Sequence, residues 1–400
     1  MGCCEVKPRS GNIRDPQQQY LTSNYQGALN PIDIQKIKQP KVSIDTYPNN
    51  KNTLKYNNNI KYFNKNDYPN NDDQQVNPPM SLGSSFDIEN KGNYNEIDAR
   101  NNYISPYGAM NSTNYKCTYT IEEAHDEKIV CLIELSSGKI ATGSYDCSIK
   151  IWNLNTYKCE NTIRERGYVF CLLEFEKDML LCGTNDNTIQ LYDLKNTFGE
   201  CLHTYKGHLL WVNSLVKCNH KYFASCSNDT DIRIWDYFSN ECKDILKGHN
   251  DCVLSLTKLY DGRLCSGSSD LTIKIWNWES NKCEATLTGH TKWVKCVYQL
   301  NNGYILSGSD DNTIKVWKED DNIKTLEGHE HSIRSFCQIN DNLFASCSFD
   351  ETIKIWDINR MECVQTLMGH TSNVIGIINH RSGKLVSCSN DQSIKIWENV

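Results

Sequence analysis

Six times between residues 120 and 400 a His is followed 17 residues later by Ser or Thr, 21 later by Asp and 27 later by Trp. The first three sets are His125, Thr142, Asp146 and Trp152; His208, Ser225, Asp229 and Trp235; and His249, Ser266, Asp270 and Trp276. The last three are His290, Ser307, Asp311 and Trp317; His329, Ser346, Asp350 and Trp356; and His370, Ser387, Asp391 and Trp397. A hydroxyl, an imidazole and a carboxylate are the parts of a hydrolase triad, in which His takes the hydroxyl proton and the carboxylate orients the ring. An enzyme needs one such site. Six evenly spaced copies point to architecture instead. A seventh copy is degenerate: Glu165 stands in the His place, Cys182 in the hydroxyl place and Tyr192 in the Trp place around Asp186. This second unit is expected to be the least rigid.

The elements that carry these residues recur with them. Successive Asp positions lie 39 to 43 residues apart, the signature of one supersecondary unit repeated in an array. In the unit that starts at Gly289, residues 293–300 and 304–309 form strand-like runs around the turn Asn301-Asn302-Gly303. Asp310-Asp311-Asn312 makes the next turn and 313–317 the third run. There Ile314 and Val316 alternate with polar residues, the period of two that gives a strand distinct faces. The same apolar pair recurs as Ile149/Ile151, Ile189/Leu191, Ile232/Ile234, Ile273/Ile275, Ile353/Ile355 and Ile394/Ile396. A fourth run, such as 283–287, leads to the next Gly-His. Each unit is therefore expected to be a four-stranded antiparallel sheet.

Gly-His at the start, Asp in a turn, and Trp followed by Asp or Asn (Trp235-Asp236, Trp356-Asp357, Trp152-Asn153) resemble the WD-repeat β-propeller family across residues 116–400. The resemblance implies an all-β, seven-bladed propeller of four-stranded antiparallel blades. It also implies that each His, Ser/Thr, Asp and Trp form a buried structural tetrad inside one blade. The seventh unit ends at Trp397 without a fourth run, while Lys116–Ile121 repeats the fourth-run pattern of Lys158–Ile163. Residues 116–122 are thus expected to complete the last blade and leave no open edge. In such propellers partners dock where the His loops and Asp turns emerge. The outward positions there are one and three after the His and one before the Asp. They hold Tyr145, Tyr168, Leu209, Trp211, Trp293 and Phe349, with the charged Asp126, Lys128, Arg166, Asp310 and Glu330. Aromatics ringed by polar groups resemble protein-interaction hot spots.

The expected function is a non-catalytic scaffold that docks proteins or short peptides. Two rivals share the fold. A ubiquitin-ligase substrate receptor would want Arg or Lys three places after the Trp, where Asn155, Phe238, Glu279, Asp320, Asn359 and Val400 stand. A G-protein β-like subunit would want an N-terminal heptad repeat, and the sequence has none. No cofactor, metal, nucleic acid or small-molecule substrate is implied. The net charge is −7 and no basic stripe occurs. None of the 20 cysteines forms a Cys-x-x-Cys pair. Two repeated sets, Cys117/Cys159/Cys201/Cys242/Cys283/Cys363 and Cys182/Cys226/Cys265/Cys347/Cys388, are expected to be reduced core thiols.

Residues 1–115 differ in kind. They are rich in Asn, near neutral with 12 Lys/Arg against 11 Asp/Glu, and show no apolar periodicity. Such a segment buries too little apolar area to offset chain entropy, so a disordered arm is expected. It opens Met1-Gly2-Cys3-Cys4, which resembles a dual-acylation signal with myristate on Gly2 and palmitate on Cys3 and Cys4, although Val6 stands where Ser or Thr is usual. Two acyl chains anchor stably where one does not. The arm would then tether the propeller to the cytoplasmic face of a membrane.

Overall fold

The computed structural model describes residues 113–195 and 199–400. The expectations of a disordered arm and of acylation at Gly2, Cys3 and Cys4 lie outside the described residues. The described part is all-β. Twenty-eight strands run from β1 (Tyr115–Ile121) to β28 (Ile394–Asn399) and make seven four-stranded antiparallel sheets. The fifth sheet shows the rule: β18 (Val294–Gln299), β19 (Ile305–Ser309), β20 (Ile314–Lys318) and β21 (Asp321–Leu326), in order from the innermost strand outward. Each sheet is one blade. The turn at Asn301–Gly303 closes the first hairpin, with the Gly303 N–H donating to Leu300 O at 2.8 Å.

No blade has a core of its own. The alternating apolar pair of the third strand faces a neighbour, so each cluster spans two sheets. Phe223 and Trp235 of the third blade pack with Cys171 and Leu181 of the second. Ile129 and Trp152 of the first pack with Val386 and Ile394 of the last. At about 1.5–3 kcal/mol for each fully buried large side chain, stacking is what stabilises the sheets.

The seven innermost strands touch in a closed ring. Closure is made by the chain ends. The outer strand of the seventh blade is β1, paired antiparallel to β28 from Tyr115↔Asn399 to Ile121↔Ile394. It starts one residue before the expected 116–122, and Tyr115, assigned by sequence to the arm, is buried. A second contact the sequence did not suggest crosses the same seam. Arg381 of the last blade pairs with Glu134 of the first and donates to Ser136 O and Leu135 O, both at 2.9 Å.

One expectation about the thiols is corrected. Cys182, Cys226, Cys265, Cys347 and Cys388 are buried, but Cys117, Cys159, Cys201, Cys283 and Cys363 are exposed and Cys242 half-buried. The Cys117 set lies on outer strands, whose outward face has no neighbouring blade to cover it. Equal spacing therefore reported an equivalent place but not a buried one.

Each innermost strand of the seven blades carries a β-bulge near its start, between Val294 and Cys296 in β18 and at the equivalent step in the other six. A bulge leaves one residue out of the ladder and re-aims its side chain.

Candidate functional site

The His, hydroxyl, Asp and Trp of each regular unit converge inside the blade. In all six, His Nδ1 lies 2.6–2.8 Å from Asp Oδ2. His Nε2 lies 2.7–2.8 Å from the Ser or Thr Oγ. Trp Nε1 donates to that same oxygen at 2.7–2.9 Å. Donor and acceptor chemistry fixes two of the three directions. Indole N–H only donates, so the hydroxyl oxygen accepts from it. A carboxylate only accepts, so Nδ1–H donates. The same hydroxyl shares its other hydrogen bond with His Nε2. Burial pushes the Asp carboxyls up, but the His hydrogen bond together with backbone N–H donors outweighs it and holds all six below the usual range.

The hydrogen bonds of each tetrad stay within one blade, but the tryptophan rings also reach a neighbouring blade, and Trp276 shows why. Its indole N–H donates within the fourth blade, to Ser266 Oγ at 2.8 Å. Its ring, however, belongs to an apolar cluster shared with the third blade, beside Ile232, Ile234 and Leu246. Trp276 is 1% exposed only because that neighbour covers it. The hydrogen bond is local, whereas the large apolar body of the indole needs a second sheet to leave water. Trp276 therefore couples the tetrad of one blade to the packing of the next, which the spacing within a single repeat cannot reveal. Trp235 and Trp356 likewise pack in clusters that reach the preceding blade, with Leu181 and Leu306 respectively.

This is a triad geometry turned inward. Thr142, Ser225, Ser266, Ser307, Ser346 and Ser387 are wholly buried, and each hydroxyl is held between a His ring and a Trp N–H, as Ser307 is between His290 and Trp317. Gly289, before His290, has φ 148°, a backbone conformation that residues with a side chain rarely adopt.

The second blade holds a different set. Glu165, Cys182 and Tyr192 occupy the corresponding places. Burial pushes the Glu165 carboxyl up, the Tyr192 hydroxyl and Cys182 thiol oppose that by hydrogen bonding, and the Asp186 charge adds to the rise. Glu165 Oε1 is buried with no hydrogen-bond partner among the described residues.

The His loops and Asp turns emerge on one face, and one backbone bond organises it. In every blade the N–H of the residue before the Asp donates to the carbonyl three places after the His or Glu, at 2.9–3.2 Å. This pairs Tyr145 with Lys128, Asn185 with Tyr168, Asn228 with Trp211, Asp310 with Trp293 and Phe349 with Ser332. The residues form two arcs. In the first three blades Tyr145 stacks on Tyr168 with centroids 4.7 Å apart, Phe170 meets Tyr145 edge-on at 5.8 Å, and Phe170 stacks on Trp211 at 5.2 Å. These four are half-buried, covered in part by one another. Leu209, beside them, is 74% exposed, and Arg166 and Asp126 are exposed too. The second arc, in the fifth and sixth blades, is mixed. Lys295 Nζ sits 4.4 Å from the Trp293 ring centre and 3.3 Å from Asp310 Oδ2. Arg334 lies 5.5 Å from the Phe349 ring centre, and Ser332 Oγ donates to Asp310. Asp310 is thus engaged within the fold, while Glu330 is exposed.

Phe170, Lys295 and Arg334 were missed by sequence reasoning. Each is the bulged residue of an innermost strand, five places after the His or Glu. The signal was the absence of period two at that point, where Val294, Cys296 and Val297 are all buried.

Seven sheets closed around one axis, six of them pinned by a buried tetrad, define a seven-bladed β-propeller. The family model for the WD domain, G-beta repeat, matches residues 115–153, 199–236, 240–277, 281–318, 320–357 and 361–398, more than half of the chain. The chain belongs to the WD-repeat family. The model passes over most of the second blade, the one without a regular tetrad. Similar proteins include an uncharacterized WD repeat-containing protein of Schizosaccharomyces pombe, 33% identical over 24% of this chain and 27% of its own length. The ribosome biogenesis protein YTM1 of Debaryomyces hansenii is 37% identical over 24% of this chain and 22% of its own. Human pre-mRNA-processing factor 17 is 27% identical over 24% of this chain and 17% of its own. The chain spans about a quarter or less of the length of these curated relatives.

Proposed function

We propose that this protein is a non-catalytic scaffold that docks other proteins, or short peptide segments of them, on the face where the His loops and Asp turns emerge. The observation that carries the reading is the arc of Tyr145, Tyr168, Phe170 and Trp211, with Leu209 beside it. Large aromatics held rigid by mutual stacking lose little entropy on contact, and they dominate binding energy where they occur at interfaces. The relatives' names, a ribosome biogenesis protein and a pre-mRNA-processing factor among them, suit proteins that work inside larger assemblies. Catalysis has no foothold in the tetrads, since their hydroxyls are buried and already bonded on both sides.

The finer part of the proposal is the anchor. Met1-Gly2-Cys3-Cys4 supports myristate on Gly2 and palmitate on Cys3 and Cys4, which would hold the scaffold at the cytoplasmic face of a membrane. Proximity labelling with three proteins tests both parts. Trp211→Ala with Trp293→Ala should erase the labelled partners with little change in melting temperature. Gly2→Ala should leave the docking partners and remove membrane proteins. Undiminished partners from the Trp variant would end the docking reading, and unchanged membrane labelling from Gly2→Ala would end the anchor.

A further inference from the structure

The bulged residues of the seven innermost strands make a ring of their own. Five of them are uncharged: Val130, Phe170, Asn213, Leu254 and Ile375. The other two, on the neighbouring strands β18 and β22 (Ile333–Asn340), are Lys295 and Arg334. Charge of one sign is therefore concentrated on one side of the ring, in a propeller whose residues 116–400 carry 30 Lys/Arg against 38 Asp/Glu.

The two cations are also poorly compensated. The Lys295 side chain is only 12% exposed, and among the described residues its one carboxylate neighbour in an ion pair is Asp310, itself shared with Ser332. Burial, then the nearby Arg334 charge, depress the pKa of the Lys295 ammonium to about 8. Arg334 lies against the Phe349 ring, and its Nε is buried with no hydrogen-bond partner among the described residues. Desolvated cations cost stability unless paired. Two neighbouring cations, of which only Lys295 has a carboxylate in ion-pair contact among the described residues, form a site short of negative charge. A guanidinium presents a planar fork of donors that matches carboxylate and phosphate oxygens.

Resting on the docking face proposed above, we propose that Lys295 and Arg334 form an anion-reading subsite, and that the docked segment is an acidic peptide whose carboxylate or phosphate reaches these two side chains. An aromatic or apolar residue of the same segment sits on the Tyr168–Phe170–Trp211 arc. The shared chemistry is a planar or tetrahedral oxyanion on a peptide. The excess of acid over base in the propeller disfavours nucleic acid as its carrier. Asp310 is the internal rival of the ligand, because it occupies Lys295 when the face is empty.

The test uses the full chain, immobilised, and two libraries of random decamers. One library contains Asp and Glu, and the other has phosphoserine as its only acid. Selected decamers are then measured by fluorescence anisotropy against wild type, Lys295→Met, Arg334→Met, Asp310→Asn and Trp211→Ala. The inference expects an acidic residue at a fixed place in the selected sequences. It expects at least a tenfold loss of affinity with Lys295→Met or Arg334→Met, and tighter binding with Asp310→Asn. A merely structural role for Asp310 would weaken binding instead. The library that yields binders decides between carboxylate and phosphate. Decamers lost with Trp211→Ala but indifferent to both cation variants would overturn the anion subsite and leave the docking face standing. Failure of both libraries to yield any binder would overturn both. A labelled oligouridylate displaced by the same cation changes, with no acidic decamer selected, would overturn the peptide assignment.

Discussion

Replacing Ser307 by Ala removes a single oxygen from the fifth blade and leaves two buried groups unserved. The Trp317 indole N–H loses its acceptor at 2.8 Å and His290 Nε2 loses its partner at 2.7 Å. Both residues are buried, and Trp317 is 1% exposed, so water has little access to replace the lost oxygen. An unsatisfied buried polar group costs about 1–3 kcal/mol, so the pair sums to roughly 2–6 kcal/mol. The unfolding entropy of a domain of this length is on the order of 0.6 kcal/mol per degree, which converts the loss to a fall of about 3–10 °C in melting temperature. Differential scanning calorimetry of Ser225→Ala, Ser266→Ala, Ser307→Ala, Ser346→Ala and Ser387→Ala should give comparable falls, because the bond lengths repeat from blade to blade. Five unchanged melting temperatures would refute the tetrad as a stabilising device. So would one serine whose loss abolished a chemical activity without any thermal effect.

Deleting residues 1–124 should lower the melting temperature well below that of a protein lacking only 1–110, because β1 and the Ala124 N–H bond to Gln392 O close the ring; equal values would argue against the clasp. Acid should unfold the propeller. The six tetrad carboxyls have folded pKa values below the ordinary Asp value of 3.8, so their stabilisation is present above it and is lost as pH falls toward the folded values. Tryptophan fluorescence along an acid titration should therefore break below about pH 4, and Asp311→Asn should flatten the slope. Glu165 has the opposite sign. Its folded pKa is raised, so its contribution is present below the ordinary Glu value of 4.5 and is lost as pH rises through the folded value. Glu165→Gln should accordingly raise the melting temperature at pH 7, and a fall would show that the ionised carboxylate holds the second blade together.

The tetrads were legible because their parts recur at fixed intervals, and a spacing repeated six times cannot be a chance of composition. The strand bounds followed to within a residue or two for the same reason: Asn301-Asn302-Gly303 and the Asp turns punctuate the alternation. The loop-face positions were also legible, since they are counted from the His and the Asp. Less legible was what those positions do together. Asp310 reads as a free surface charge, yet it is held by Lys295 and Ser332. Trp276 reads as a member of one unit, yet its ring is packed against the sheet before it. The outer-strand cysteines share a slot with one another, and only the layering of the sheets shows that no neighbour covers them.

By itself the sequence determined the repeat, the four-stranded unit, the count of seven and the residues that pin each sheet, because these depend on local periodicity and on contacts within about 40 residues. The tertiary structure alone decided which side chains meet on the loop face. Phe170, Lys295 and Arg334 owe their aim to a bulge that breaks the strand period, and their partners come from other strands and other blades. It also decided how the ends meet, through β1 on β28 and Arg381 on Glu134. A one-dimensional pattern records which face a residue takes within its own strand, whereas the closing of a ring sets what stands opposite, and that is fixed by residues more than 200 positions away.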